Sequence, residues 1–386
     1  MNLTISVIGA GTMGSGIAQV AASNNCEVTI VDLSQQVLEN SQSKLKSILN
    51  RLVEKRKIDE EQSNSILARI HWTTKMKEIS YSFLVIEAIV ENMEIKQELF
   101  SKMESLVSDD CILATNTSSL SVSKIASVCK LKSRIMGIHF FNPVPLMKLV
   151  EVIPTEETDK KLLLEVKSSL EGWGKSVVTA KDTPGFIVNR VARPFYSEAL
   201  KIYEEGLADF ATIDWAMKEF GGFLMGPFEL MDYIGNDINY SATKSVYNGT
   251  NHDPRYKPSP TQKKMMDEGL LGRKSGKGYF DYSESAINPE PKKNGELGRE
   301  IFNRILAMLI NAAVDALNGG IATREDIDMA MTTGVNYPKG LLQWADDIGP
   351  NSPLEQLKEL HTQSGDDRYI ASPLLIKKVE EGGTFY

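Results

Sequence analysis

The sequence is poor in the residues that build covalently stapled or metal-stapled folds: of 386 residues, three are cysteine and four are histidine. Cys26, Cys111 and Cys129 have no metal-ligand spacing, and their odd number argues for free thiols in a reducing compartment rather than a disulfide framework. No metal site is expected. Missing too is any apolar run approaching the roughly 20 residues that span a bilayer, so no membrane segment is expected. Charge of one sign is nowhere concentrated: 43 basic and 51 acidic residues are interspersed, for a net charge of -8. That argues against a general nucleic-acid-binding face while leaving room for a local phosphate site. The strand-like LTISVIGAG begins almost at the first residue, with no room for a secretory leader before it, and a cytoplasmic protein is the expectation. What remains is the composition of an ordinary globular protein, 42% hydrophobic and 24% charged, at a length that implies two or three domains.

Leu3–Ile8 has the pattern of a buried strand, and Ser15–Ser23 is an alanine-rich helical run. Between them stands Gly9-Ala10-Gly11-Thr12-Met13-Gly14. In such a strand–turn–helix unit Gly9 permits the tight turn, Gly11 lets backbone amides approach a pyrophosphate, and Gly14 allows the helix to close on the strand. The spacing becomes specific because a second strand, Glu27–Val31, ends at Asp32, 18 residues past Gly14. A carboxylate there hydrogen-bonds an adenosine ribose and repels a 2′-phosphate. With no arginine close behind it, Asp32 favours NAD over NADP.

Residues 34–77 show helical periodicity with a partly basic surface that includes Lys55. The apolar run Phe83–Ile89 is the next strand, with Glu91 just beyond it and Lys96 on the helix that follows. Cys111–Ala114 is another, leading into Thr115-Asn116-Thr117-Ser118-Ser119 at the carboxyl edge of the sheet. Hydroxyls and an amide placed there can hold a carboxamide or a substrate oxygen, although serine and threonine serve equally as helix caps. Then comes GIHFFNPVPLMKLVEVI, residues 137–153, in which two short strands flank a proline turn. If the second folds back beside the first, Glu151 meets His139. A carboxylate that accepts the Nδ1 hydrogen of an imidazole fixes its tautomer, and the pair is then an acid–base device awaiting a hydride acceptor. A strand at Ser176–Ala180 and the turn-rich Asp182-Thr183-Pro184-Gly185-Phe186 mark a domain boundary, so residues 1–182 are expected to form the nucleotide-binding domain.

Beyond the boundary the pattern is helical, with Asn189 in the first turn of a helix from Ile187 to about Ala208. A loop rich in glycine and lysine, GRKSGKGYFDY, closes residues 183–282, and residues 283–298 have linker composition. The segment from 299 to 386 then repeats its predecessor. Asn189-Arg190 recurs as Asn303-Arg304, Asp214 as Asp328 and Asp232 as Asp346 at an offset of 114, and Arg255-Tyr256 as Arg368-Tyr369 at 113. Two copies of one helical unit that bury their apolar faces on each other are the expectation, with the second copy structural and without the GRKSGKGYFDY loop.

Taken in order, GAGTMGSGIA, EAIVEN, TNTSSL, HFFNPVPLMKLVEV, KDTPGFIVNR and GRKSGKGYFDY resemble the L-3-hydroxyacyl-CoA dehydrogenase family across residues 5–282. The resemblance implies an α/β Rossmann-type NAD-binding domain followed by two tandem all-α domains, the doubled unit standing in for a dimer contact made between chains in shorter members. It further implies oxidation of the 3-hydroxyl of an acyl-CoA to a ketone, the chemistry of fatty-acid β-oxidation. His139 would be the base, Glu151 its orienting partner, and Ser118 and Asn189 the groups on the substrate oxygen. Cofactor contacts would carry over to Gly9 through Gly14, Asp32, Glu91, Lys96, Asn116, Ser118, Asn142 and Lys274, and Lys55 would lie near the CoA moiety. A homodimer remains compatible with the internal pseudo-dimer. A related branch acts on a sugar acid such as L-gulonate and has given rise to lambda-crystallin, a lens structural protein. An NAD-binding chain of either kind is the alternative.

Overall fold

A computed structural model describes residues 3–386, which divide into two compact units, one ending at Asp182 and one beginning at Thr183. The first unit is built on one eight-stranded sheet. Its strands are β1 (Thr4–Ile8), β2 (Glu27–Val31), β3 (Ile70–Thr73), β4 (Leu84–Glu87), β5 (Ile112–Thr115), β6 (Ile135–Phe140), β7 (Leu149–Pro154) and β8 (Ser176–Thr179). They lie in the order β3-β2-β1-β4-β5-β6-β7-β8, parallel except where β7 turns back against β6. Chain order reverses between β1 and β4, and there the carboxyl ends of the strands open a crevice, the usual seat of a dinucleotide.

The strands are apolar because both faces are covered: Ile5, Val7, Val85, Ile86, Ile112 and Leu113 are buried. Helix α1 (Thr12–Ser23) packs on one face through Ile17, Ala18 and Ala21, while α4 (Met93–Glu104) buries Phe100 and Met103, three apart and so on one side of the helix. Burying side chains of this size is worth about 1.5–3 kcal/mol each. The helical periodicity read over 34–77 resolves into α2 (Gln35–Glu54), α3 (Glu60–Ala68) and then β3. The periodic reading passes over that four-residue strand because Ile70-His71-Trp72-Thr73 is too short to display its own alternation.

The second unit is all helical. Arg193–Glu204, Phe210–Gly221, Pro227–Ile234, Asn236–Gly249 and Pro260–Asp267 are followed by Gly295–Asn318, Arg324–Gly334, Leu341–Ile348, Asn351–Ser364 and Pro373–Glu380. The single helix expected from Ile187 is two, Val188–Val191 and Arg193–Glu204, with the break at Ala192 and Pro194 in the first turn of the second. Gly295 starts its helix four residues inside the expected linker, because the Asn294 side chain accepts from the amides of Glu296 and Leu297 and caps it there.

Matching positions do matching work. Asp214 accepts from the amides of Phe228 and Glu229 at 2.9 and 2.8 Å, and Asp328 accepts from those of Leu342 and Gln343, both at 2.9 Å. A Cβ on Gly226 or on Gly340 would come within 2.3 Å of the Cγ of its aspartate, so each cap requires its glycine. Asp232 accepts from the amides of Tyr279 and Phe280, and Asp346 from those of Phe385 and Tyr386. The second segment therefore lacks the basic loop but keeps the aromatic strap that closes it. This qualifies the reading that GRKSGKGYFDY has no counterpart: spacing hides the strap because the connection before it is shorter.

Candidate active site

At the first turn two glycines serve the fold and one serves the space in front of it. Gly9, at φ +103°, lies so close to Ala88 that a Cβ would come within 2.5 Å of the Ala88 carbonyl oxygen, and a Cβ on Gly14 would lie 1.9 Å from the Gly9 oxygen. A Cβ on Gly11 meets nothing within 4 Å. Gly11 is also the N-cap of α1, where no side chain among the described residues caps the helix and no acidic residue stands in the first turn. Amides of Thr12 and Met13, at an uncapped end with open space ahead, fit a pyrophosphate. Asp32 holds the turn from the next strand, accepting from the Ala10 amide at 2.9 Å and, through its other oxygen, from the Ser34 amide at 3.1 Å. A carboxylate has about four lone-pair sites, so ribose hydroxyls can still bind it. The described residues thus fit NAD.

Two strands away, the carboxyl ends of β4 and β5 carry a charged cluster. Lys96 is 1% exposed, with its Nζ 2.5 Å from Glu87 Oε1 and 3.3 Å from Glu91 Oε2. Glu91 Oε1 accepts from the Thr117 hydroxyl at 2.6 Å, the Ser118 amide at 3.1 Å and the Ser119 hydroxyl at 2.9 Å. Burial alone would push the Glu91 carboxyl up, but the Lys96 ammonium and these hydroxyls together hold it below the usual carboxylate range. A buried Lys96 acts on its surroundings through the two glutamates. Ser118 is exposed at the sheet edge, and the half-buried Asn116 accepts from the Phe140 amide at 2.9 Å, which fixes its amide group beside the end of β6.

His139 and Glu151 are paired in register across β6 and β7. Their side chains meet, with His139 Nδ1 2.7 Å from Glu151 Oε2; Glu151 is fully buried and His139 is 6% exposed. An ionised carboxylate only accepts hydrogen bonds, so the contact places the proton on Nδ1 and the basic lone pair on Nε2. The Phe141 ring lies 4.5 Å from the imidazole, centroid to centroid. Asn142, in the turn after β6, is exposed. Lys55 caps the carboxyl end of α2 and is exposed beside Arg51, Arg56 and Lys57, where a helix end favours cations.

The helical unit carries the other two residues singled out in the sequence. Asn189 is half-buried in Val188–Val191, and Lys274 is 2.6 Å from Asp237. Sequence reasoning passed over Glu87 and put Thr115 in a ligand-facing loop, whereas Thr115 ends β5 and both are fully buried. The available signal was the glutamate itself, standing inside the apolar run FLVIEAI where a buried charge needs a partner.

Residues 4–183 match the family model described as 3-hydroxyacyl-CoA dehydrogenase, NAD binding domain; the model of the C-terminal domain matches twice, at 185–282 and 301–384. The chain is 34% identical to 3-hydroxyadipyl-CoA dehydrogenase of Escherichia coli over 96% of both proteins. It is 40% identical to the mitochondrial hydroxyacyl-coenzyme A dehydrogenase of Sus scrofa, over 72% of this chain and 90% of that one. A crystal structure of 3-hydroxybutyryl-CoA dehydrogenase from Escherichia coli superposes with a TM-score of 0.92 at 33% identity, covering 99% of each chain. With an NAD-binding sheet, a histidine–glutamate pair across β6 and β7 and family matches along nearly its whole length, the chain belongs to the 3-hydroxyacyl-CoA dehydrogenase family of NAD-dependent oxidoreductases.

Proposed function

We propose that the protein oxidises the 3-hydroxyl of an L-3-hydroxyacyl-CoA to the 3-oxoacyl-CoA, reversibly, with His139 as the general base. The observation that carries this reading is the 2.7 Å contact between His139 Nδ1 and Glu151. NAD, when bound, supplies the hydride acceptor. His139 Nε2 takes the hydroxyl proton in oxidation and returns it in reduction, so the imidazole is neutral at the start of one direction and protonated at the start of the other. Glu151 keeps the ring in that tautomer and stabilises the imidazolium. Ser118 hydrogen-bonds the 3-oxygen, and the family pattern extends that role to Asn189. The NAD contacts are Gly9 to Gly14, Asp32, Glu91, Lys96, Asn116, Ser118, Asn142 and Lys274, and Lys55 lies beside the CoA. The two helical segments form a pseudo-dimer within the chain, to which a homodimer can be added. The three buried free thiols are in keeping with a cytoplasmic location.

The test is NADH consumption with acetoacetyl-CoA beside NAD reduction with L-gulonate, on the wild type and on His139→Gln. Turnover of the CoA ester, lowered about 10²- to 10⁴-fold in the variant with NADH affinity within about twofold, is expected. Activity on gulonate alone would assign the chain to the sugar-acid branch. Cofactor binding without turnover of either substrate would assign it a structural role.

A further inference from the structure

The geometry points to Glu87, acting with Lys96 and Thr115, as a positioning residue for Ser118; this rests on the role given to Ser118 in the proposed reaction. Glu87 is the last residue of β4 and is paired in register with Thr115, the last residue of β5. Its two oxygens face two routes to the same loop. Through Oε1 it accepts from Lys96, which in turn reaches Glu91, the acceptor for Thr117, Ser118 and Ser119. Through Oε2 it accepts from the Thr115 hydroxyl at 2.6 Å, and the Thr115 oxygen accepts from the Thr117 amide at 3.2 Å. Oε1 also takes the Ile89 amide at 2.8 Å, tying the chain that leads to Glu91 into the same centre. Both routes arrive at the residue before Ser118.

Charge explains why an acid is needed. One ammonium lies between two carboxyl groups, 2.5 Å from Glu87 and 3.3 Å from Glu91. A glutamine at 87 keeps the shape but not the charge. Lys96 then turns wholly to Glu91, whose oxygens are shared with the loop, and the new amide presents donors to atoms that themselves donate. The loop loses its fixed point although Ser118 itself is unchanged. Glu87 has no exposed surface to offer a ligand, so its effect on the reaction passes through Ser118.

The experiment is a double-mutant cycle read with NADH and acetoacetyl-CoA. Glu87→Gln in the wild-type background is expected to lower kcat/KM about tenfold, with NADH affinity by fluorescence titration within about twofold. In the Ser118→Ala background the same change is expected to cost less than about twofold, because the residue it positions is already gone. Equal losses in both backgrounds, or a loss confined to NADH affinity, overturn the inference and leave the proposed function standing. Full activity in Ser118→Ala removes the role of Ser118 and the inference with it. Should Glu87→Gln fail to fold, Thr115→Val, an isosteric change that breaks only the second route, is carried through the same cycle with the same criterion.

Discussion

Arg304 and Glu198 are joined by a buried ion pair: Arg304 Nε lies 2.6 Å from Glu198 Oε1, and the two residues come from different helical segments, one from each family match. Tyr369 closes the contact by donating its hydroxyl to the same oxygen at 2.7 Å and accepting from Arg304 at 2.8 Å. Arg304 also reaches Glu205, at 2.8 Å. Glu198 is fully buried, and without Arg304 its nearest cation is Arg368, at 3.5 Å from its other oxygen. Arg304→Met is therefore expected to destabilise the helical unit by less than the roughly 3–5 kcal/mol of a wholly unpaired buried charge, and adding Glu198→Gln to recover part of that. Urea titrations followed by far-UV circular dichroism check both. A double variant no more stable than the single one would show that the charge is not the cause.

Glu151→Gln retains an oxygen that can accept from Nδ1 but removes the charge that, in the proposed reaction, stabilises the imidazolium. The expected loss in kcat is roughly 10- to 100-fold, as for carboxylates that orient metal-bound histidines, and smaller than that of His139→Gln. Steady-state kinetics in both directions measure it. A loss equal to that of His139→Gln would mean that the glutamate does more than orient and stabilise.

Asp32 accepts from the Ala10 amide and is the proposed ribose ligand, so Asp32→Ala touches two functions. Removing a charged acceptor costs about 1.5–3 kcal/mol, or roughly 10- to 100-fold in kcat/KM for NAD. Relative use of NADP should rise, since the group that repels a 2′-phosphate is gone. Comparing both cofactors on the variant gives the answer, and an unchanged NAD-to-NADP ratio would remove Asp32 from cofactor choice.

The thiols should be silent in the native protein. Burial pushes Cys111 up to about 12 and, with Glu104 adding to it, Cys129 up to about 11; burial also raises Cys26. The reactive species is the thiolate, so at pH 8 a disulfide reagent should label all three only after denaturation. Between about pH 8.5, where an unfolded thiol ionises, and 11–12, the folded state keeps protons that the unfolded chain releases. Stability consequently falls as pH climbs through that window and owes nothing to these groups below it. Rapid labelling of one thiol before unfolding would place it at the surface.

Those parts of the site whose chemistry is local in sequence were readable there. Gly9, Gly11, Gly14 and Asp32 stand at fixed offsets because one strand–turn–helix unit sets them. His139 and Glu151 could be paired because a proline turn between two short strands leaves little but an antiparallel return. Glu87 could not be read in the same way. Its partners, Thr115 and Lys96, come from a neighbouring strand and the following helix, and only the register of β4 on β5 shows that two side chains meet. The aromatic strap at Phe385 and Tyr386 was hidden differently, by a connection shorter than the one in the first segment.

Two homologous helical segments on one chain make their mutual contact unimolecular. The residues between Asp281 and Asn294 tether them, so each meets the other at an effective concentration in the millimolar range, which dilution does not change. In a dimer with two-fold symmetry a substitution falls on both sides of the contact at once. Here it falls on one, and the two halves have been free to drift apart: Arg255 meets Asp315 at 3.1 Å, while the matching Arg368 faces Glu198 at 3.5 Å. Carrying both segments on one chain in this sense releases the interface from self-complementarity.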